Sequence, residues 1–234
     1  MIFLEDRNLY LYFFLIFFMN IAFIFAHPDD ESFSTGGTIA RYSASGNNVY
    51  SLCLTSNEVR RKEYIEATKI LNVKKAIILN YKEIENNELE IKNQIIDFIL
   101  TYRPEIIVTH MDDDYHVEHR LTSSMVKEAI EWAAHETQYS NSFIVSKLYF
   151  TETTVLLSNP HVIVDISDFI EVKEKAMKCY SSQLDKGGNN FYIEFHKHRT
   201  KMRGTQAQVE FAEAFLEVPL KKTSPFYKTK HSLL

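Results

Sequence analysis

The sequence is poor in the residues that form loops, linkers and crosslinks. Its 234 residues include only six glycines, five prolines and two cysteines. So few glycines and prolines argue against long disordered tracts. Two cysteines without CxxC or Cys/His spacing argue against a disulfide scaffold or a cysteine-based zinc site. A chain of this length buries a substantial core without crosslinks, so we expect a single domain over residues 19–234.

The sequence also lacks an excess of positive charge. Its formal net charge is -5, and the two signs are interspersed. Because a phosphate backbone demands a basic stripe, we expect no nucleic-acid partner. Cys53 and Cys179 lie in a strand-like and a helix-like run, where we predict thiols without a metal or redox role. Free thiols suit a reducing cytoplasm.

One long apolar run lies near the N-terminus. Residues 9–26 are nearly continuous in apolar side chains, and the run is about as long as the shortest membrane span. Its last part, IAFIFA, also has the pattern of a buried parallel strand, and one segment cannot be both. The run has neither a basic n-region nor a cleavage site of a signal peptide. We therefore expect Met19 to be the natural start, residues 1–18 to be an N-terminal extension, and no stable membrane association.

Apolar runs and amphipathic segments alternate along the rest of the chain. Such alternation predicts an α/β fold, a Rossmann-like three-layer sandwich with a mainly parallel central sheet. A helix is predicted over residues 36–46, opened by small residues and closed by glycine. The later helices are predicted over residues 169–183 and 194–216. Strands are predicted at residues 21–26, 48–55, 75–79, 105–110, 147–150 and 161–166.

Two polar loops follow the first and the fourth predicted strands. The first reads AHPDDE (residues 26–31), and the second reads HMDDDYHVEHR (residues 110–120). The ligand site of such a fold lies beyond the carboxyl ends of the strands, so the loops should meet. Neighbouring carboxylates resist burial unless a positive charge offsets them, and catalytic zinc takes His and carboxylate ligands. The loops therefore predict a metal centre.

The same loops carry a resemblance to a known family. AHPDDE followed by GGTIA, and HVEH at residues 116–119, resemble motifs of the LmbE-like, or PIG-L, family of zinc-dependent N-acetylglucosamine deacetylases. RRKEYIEATKIL and AEAF are supporting matches, and the resemblance covers residues 19–218. The chain departs from the family at Val117 and Glu118, where Pro and Asp are usual.

The resemblance implies roles for five residues of the two loops. It implies that His27, Asp30 and His119 bind zinc. It also implies that Asp29 is the general base, and that His116 polarises the carbonyl or donates a proton.

Two more positions and the reaction follow from the same resemblance. Glu118 is expected to orient a histidine, and Arg60 to reach the substrate. The implied reaction is attack of a metal-activated water on the amide carbonyl of an N-acetylated amino sugar, with release of acetate. The resemblance further implies a cytoplasmic homo-oligomer, a trimer or a hexamer.

Several alternatives stay open from the sequence. Zinc-dependent hydrolysis of another amide fits the same residues, and the N-terminal apolar run suits a membrane-anchored glycolipid deacetylase. A metal-binding protein without activity is a third alternative, against which the presence of Asp29 argues. We expect His110 to be a packed residue rather than a ligand. Residues 112–114 form either a solvated acidic turn or a substrate contact.

Overall fold

The computed structural model describes residues 18–187 and 191–220. The predicted extension, residues 1–18, therefore lies outside the described residues except for Phe18. Within the described part of the chain, no helix combines the length and the apolarity that a membrane crossing needs.

A seven-stranded sheet lies at the centre of the described residues. The strand order across the sheet is β3-β2-β1-β4-β5-β7-β6. Neighbours are parallel from β3 to β5, and β7 runs antiparallel to both β5 and β6. The predicted α/β fold with a mostly parallel sheet is confirmed. The strands are β1 Asn20–Phe25, β2 Asn48–Thr55, β3 Lys75–Tyr81, β4 Ile106–Thr109, β5 Lys147–Thr151, β6 Val162–Asp165 and β7 Ala212–Val218.

Helices cover both faces of this sheet. One core contains β1 residues Ala22 and Ile24 with apolar side chains of α3 and α4. The other contains the alternate β1 residues, including Phe23, with side chains of α1, α2 and α5. Burial on both faces explains why β1 is a continuous apolar run. The helices are α1 Asp30–Ala44, α2 Glu58–Ile70, α3 Glu88–Tyr102, α4 Val117–Ala133, α5 Ile170–Met177, α6 Ser181–Gly187 and α7 Phe191–Ala207.

The prediction of one helix over residues 194–216 was wrong. Helix α7 ends at Ala207, and residues 212–218 form β7 between β5 and β6. Gln208 ends the helix with a φ of 60°, a left-handed conformation that breaks helical hydrogen bonding. A short apolar run fits a helix or a strand equally well, and two partner strands decide between them here. The predicted helix over residues 169–183 is likewise divided, between α5 and α6.

The start of α1 was also predicted too late. We placed it at Gly36, because small residues often open a helix, but the helix begins at Asp30. Gly37 lies inside the helix, and a Cβ there would come within 2.5 Å of Ile166. The small residues of GGTIA therefore serve close packing in the middle of the helix. The consequence is that Asp30 lies in the first turn of α1.

The sheet order brings the two polar loops together. Strands β1 and β4 are hydrogen-bonded neighbours, and their carboxyl ends lead into α1 and α4. The chain leaves β1 toward β2 on one side and β4 toward β5 on the other, so the loops diverge and leave a crevice. Both helices begin at this crevice.

Candidate metal centre and its cavity

The three predicted zinc ligands lie at mutual contact distance. His27 Nδ1 is 3.3 Å from His119 Nε2 and 3.5 Å from Asp30 Oδ2. His119 Nε2 is 3.5 Å from Asp30 Oδ1. The histidines and the carboxylate therefore converge on one point between the loops after β1 and β4.

These separations fit a tetrahedral metal ion. With metal–ligand bonds of about 2.0–2.1 Å, neighbouring ligand atoms of such an ion lie about 3.3–3.4 Å apart. The measured edges of the triangle are 3.3 to 3.5 Å. Two other triads of the described residues also place possible ligand atoms within 4.8 Å of one another: His27, His116 and His119, and Asp30, His110 and His119. Each of them shares two residues with the predicted set. The donor set, imidazole and carboxylate, is one that zinc accepts.

The electrostatics of the cluster favour a positive charge. Burial lowers the pKa of His27, but hydrogen bonds to Asp30 and Glu118 outweigh it and raise the pKa to about 10. Burial raises the pKa of Asp30, but His119 and His110 hold it well below its usual range. Without a metal, a proton on His27 offsets the carboxylates. A cation at the triangle would take the place of that proton.

Each of the two histidines has a carboxylate at its other ring nitrogen. Glu118 Oε2 lies 2.5 Å from His27 Nε2. Asp114 Oδ2 lies 3.2 Å from His119 Nδ1, an ion-pair contact without hydrogen-bond geometry. Burial raises the Asp114 pKa, but His119 and the His116 N–H outweigh burial and lower it. Metal-binding histidines commonly have such a partner, which fixes the ring and its tautomer.

Asp29 lies beside the cluster in a strained backbone conformation. Its φ is 115°, in a region that residues other than glycine rarely adopt and that concentrates at functional sites. Its Oδ1 forms an ion pair of 2.7 Å with Arg60 Nη2. Burial and the charge of Asp30 raise the Asp29 pKa well above its usual value, while Arg60 opposes this shift.

Arg60 is directed at the loop rather than at open space. Besides Asp29, its guanidinium donates to the carbonyl oxygen of Pro28. The Asn57 side chain accepts a hydrogen bond from the Arg60 N–H at 3.0 Å and so caps the first turn of α2. This contact fixes the backbone position of Arg60. The structure therefore places Arg60 in the cavity wall with its charge paired to Asp29.

His116 has a defined proton arrangement. It precedes α4 and its Nδ1 accepts a hydrogen bond from the Glu118 N–H at 3.3 Å, so the proton of the neutral ring lies on Nε2. Burial and the nearby His119 and His27 lower the His116 pKa. The ring stacks on His119 with 4.7 Å between centroids. His116 thus offers a neutral N–H donor beside the cluster.

His110 is buried, as predicted, but its contacts make it part of the cluster. Its Nε2 lies 3.2 Å from Asp30 Oδ2 and accepts from the Ala26 N–H at 3.1 Å. Its ring stacks on His119 with 3.8 Å between centroids. Burial and His119 lower its pKa to about 4, so it is neutral. His110 therefore supports the cluster through its contacts with Asp30 and His119.

The acidic turn at residues 112–114 divides into two kinds of residue. Asp112 pairs with Lys127 at 2.7 Å on the surface, and Asp113 is exposed. Asp114 is buried against His119. The sequence left both possibilities open for the whole turn, and it gave no signal that separates Asp114 from its neighbours.

A cavity of about 280 Å³ opens beside the cluster. Part of its wall comes from α1, from the loop after β5 and from α7, which the sequence did not connect with the site. No local pattern marks these residues, because only the fold brings them there. The described residues lining it are His27, Asp29, Asp30, Phe33, Arg60, Tyr115, His116, His119, Thr153, Thr154, Gln183, Tyr192 and His196.

The family model described as PIG-L, GlcNAc-PI de-N-acetylase, matches residues 22–130, which contain both loops. Over these residues the chain is similar to the PIG-L family. A diacetylchitobiose deacetylase of Thermococcus kodakarensis is 28% identical over 189 residues, 68% of this chain and 67% of the relative. A protein of Bacillus anthracis named "Probable N-acetyl-alpha-D-glucosaminyl L-malate deacetylase 2" is 24% identical over 188 residues, 70% of this chain and 81% of the relative.

Solved structures share the fold of this chain. A conserved protein of Thermus thermophilus superposes with a TM-score of 0.77 at 25% identity, covering 89% of this chain and 98% of that chain. An N,N'-diacetylchitobiose deacetylase of Pyrococcus horikoshii reaches 0.75 at 24% identity, covering 90% and 88%. A 4-carboxy-2-hydroxymuconate hydratase reaches 0.74 at 19% identity. Because hydratase and deacetylase share this fold, the reaction must be argued from the site.

Proposed function

We propose that the protein is a zinc-dependent hydrolase that removes the N-acetyl group from an N-acetylglucosamine-type substrate. The observation that carries the proposal is the triangle of His27, Asp30 and His119, with edges of 3.3 to 3.5 Å, at the bottom of an open cavity. The match to the PIG-L family model and the similar proteins, a diacetylchitobiose deacetylase among them, support the same reaction.

The three residues of the triangle would hold the zinc ion. When bound, zinc lowers the pKa of a water ligand toward about 7 and polarises a carbonyl oxygen. Glu118 and Asp114 hold the two histidines from their far nitrogens, which keeps the ligand atoms in place before the metal arrives.

Asp29 and His116 would move the protons. Asp29 takes a proton from water as the water oxygen adds to the acetyl carbon. The Nε2–H of His116 donates to the carbonyl oxygen as that oxygen becomes negative. The C–N bond then breaks as Asp29 passes that proton to the nitrogen, which leaves as a neutral amine. The acetic acid formed gives its remaining proton to the amine or to solvent and becomes acetate.

Arg60 would act on the base. Burial and Asp30 favour the protonated form of Asp29, and the guanidinium of Arg60 at 2.7 Å opposes them. The ion pair also fixes the Asp29 carboxylate against the turn. Arg60 therefore favours the charged form of the base and orients it, which adds to the substrate contact expected from the sequence.

Three broader features complete the proposal. We infer a Rossmann-like sheet, which the order β3-β2-β1-β4-β5 supports. We infer a cytoplasmic location, which the free thiols of Cys53 and Cys179 support. A homo-oligomer, trimer or hexamer, is supported by the family resemblance, and light scattering of the purified chain tests it: a monomeric mass would contradict it.

Acetate release and zinc content, measured on one sample, test the reaction. The substrates are N-acetylglucosamine, its malate and inositol glycosides, diacetylchitobiose and a simple N-acyl amino acid. We expect release from a sugar substrate, loss on chelation and recovery with zinc. Release from the N-acyl amino acid alone would point to the other amide hydrolase. A zinc-loaded protein that is silent on the whole panel would refute the deacetylase.

A further inference from the structure

A histidine of α7 lies in the cavity wall, and one of its ring nitrogens has no hydrogen-bond partner among the described residues. The His196 side chain lines the cavity, yet the residue is only 4% exposed. Its Nδ1 is buried and has no hydrogen-bond partner among the described residues. Leaving a buried polar atom unpaired costs about 1–3 kcal/mol, and such an atom in a native protein calls for an explanation. Because His196 lines the cavity, binding of a ligand there is an explanation that the structure allows.

His196 belongs to the same cavity as the metal cluster. Its ring contacts Phe33 with 5.0 Å between centroids, and Phe33 lies one helical turn after Asp30 in α1. Phe33 in turn contacts Tyr192, with 6.3 Å between centroids. This wall of α7 and α1 therefore lines the same cavity as the triangle.

The surroundings of His196 keep its ring neutral. Burial lowers its pKa well below the usual value, and the charges of Arg199 and Lys173 lower it further, against a smaller opposite effect of Asp30. A neutral imidazole offers one N–H donor and one nitrogen acceptor. A hydroxyl or an amide can use both kinds of group, whereas a carboxylate can use only the donor.

The cations nearest to His196 are already engaged. Lys173 Nζ bonds Glu213 at 2.5 Å and the Phe33 carbonyl at 2.9 Å. Arg199 donates to the carbonyls of Thr153 and Phe33. Among the described residues that line the cavity, the single Lys or Arg side chain is Arg60, and it is paired with Asp29. Among the described side chains, this wall therefore has no unpaired cation to neutralise a carboxylate.

We propose that His196 is a substrate-binding residue of this cavity and that it selects an uncharged hydrogen-bonding group, a sugar hydroxyl or an amide, over a carboxylate. This inference rests on the proposed function and narrows its substrate to neutral N-acetylated sugars or glycosides.

Kinetics of His196 variants test the contact. His196→Phe keeps a ring but removes both polar atoms, and His196→Gln keeps a donor and an acceptor. With diacetylchitobiose, we expect His196→Phe to raise KM about 2- to 12-fold, the loss of one neutral hydrogen bond, with kcat within about 2-fold. His196→Gln should recover part of the loss. The matched control is His198→Gln on the exposed side of α7, which should leave KM and kcat unchanged.

Zinc content and melting temperature of each variant separate binding from structure. A role in folding alone would lower stability or zinc content and reduce kcat, with KM unchanged. That result, or a KM for His196→Phe equal to that of the parent protein, would overturn the inference.

The parent protein tests the selectivity. We expect kcat/KM for diacetylchitobiose to exceed that for the malate glycoside of N-acetylglucosamine by at least about 10-fold, the low end of the discrimination that a single pocket contact provides. An equal or reversed preference would refute the selection of an uncharged group.

A spectroscopic titration tests this inference independently of deacetylase activity. Long-range 1H–15N spectra of the full chain labelled with 15N-histidine report each ring, and the His196→Gln spectrum identifies the His196 signals. We expect N-acetylglucosamine to shift both ring nitrogens of His196, even in a protein that releases no acetate. Unchanged His196 signals at saturating sugar would overturn the inference.

Discussion

Glu118 and His27 form a short hydrogen bond, with 2.5 Å between Oε2 and Nε2. The other oxygen of Glu118 accepts from the Ile84 N–H at 2.8 Å, so the carboxylate is held from both sides. Hydrogen bonding to His27 lowers the Glu118 pKa despite burial, so the group is ionised. The opposite nitrogen of His27 faces His119 and is left for a metal.

Replacement of Glu118 by glutamine should therefore weaken zinc binding. We expect the zinc affinity of Glu118→Gln to fall about 10- to 100-fold, as when the partner of a metal-binding histidine is lost. Competition with a chromogenic chelator measures it. The control, Glu131→Gln on the exposed side of α4, should bind zinc as the parent does. An unchanged affinity for Glu118→Gln would mean that Glu118 does not orient His27.

Replacement of Asp29 should separate catalysis from metal binding. Asp29→Asn removes the proposed proton acceptor but none of the three ligand atoms, so turnover should fall at least about 100-fold, the lower range for a general base, with zinc content unchanged. His119→Ala should instead lose the metal. Zinc analysis beside the acetate assay checks both variants. Loss of zinc from Asp29→Asn would show that Asp29 and Asp30 have exchanged roles.

Arg60 offers a choice between two roles. If Arg60 orients Asp29 and favours its charged form, Arg60→Gln should lower kcat about 10- to 100-fold, with little change in KM. A change of this size corresponds to the loss of one charged hydrogen bond. Arg61→Gln is the control, because Arg61 bonds Ser56 and the Leu79 carbonyl instead. Steady-state kinetics distinguish the two. A rise in KM with kcat preserved would favour the substrate contact expected from the sequence.

Acid stability should depend on His196. Its folded pKa lies well below the unfolded value of 6.5, because burial and the cations Arg199 and Lys173 oppose its protonation more than Asp30 favours it. Below pH 6.5 the unfolded chain binds a proton that the folded chain does not, so stability falls with pH. The contribution has a slope of up to about 1.4 kcal/mol per pH unit.

Denaturant unfolding at pH 7.5, 6.5 and 5.5, in chelator, measures this effect. The stability of the parent relative to His196→Phe should decrease as the pH falls through this range. His110 is also held neutral, with a pKa of about 4, but it is present in both proteins and cancels in the comparison. A difference between the two proteins that is constant with pH would contradict the shift.

The sequence predicted most of the fold through local patterns. Residues 48–55, an apolar run, form β2 with the predicted bounds. The run at residues 211–216 was misassigned, because a short apolar segment suits a helix or a strand and its partners, β5 and β6, are distant in sequence. Asp114 and Asp112 show the same limit at the site: two acids of one turn differ in role because one of them meets His119 and the other meets Lys127.

By itself the sequence determined the alternating elements, the two loops with their histidines and acids, and the resemblance of those loops to the PIG-L family. A short stretch of sequence is enough to recognise each of these features, because the periodicity of side chains and the spacing of motifs are local properties. Only the tertiary structure decided the contacts of Arg60 with Asp29, of Glu118 with His27 and of His196 with the cavity. Each of these joins elements far apart in the chain, and their meeting depends on the order of strands in the sheet.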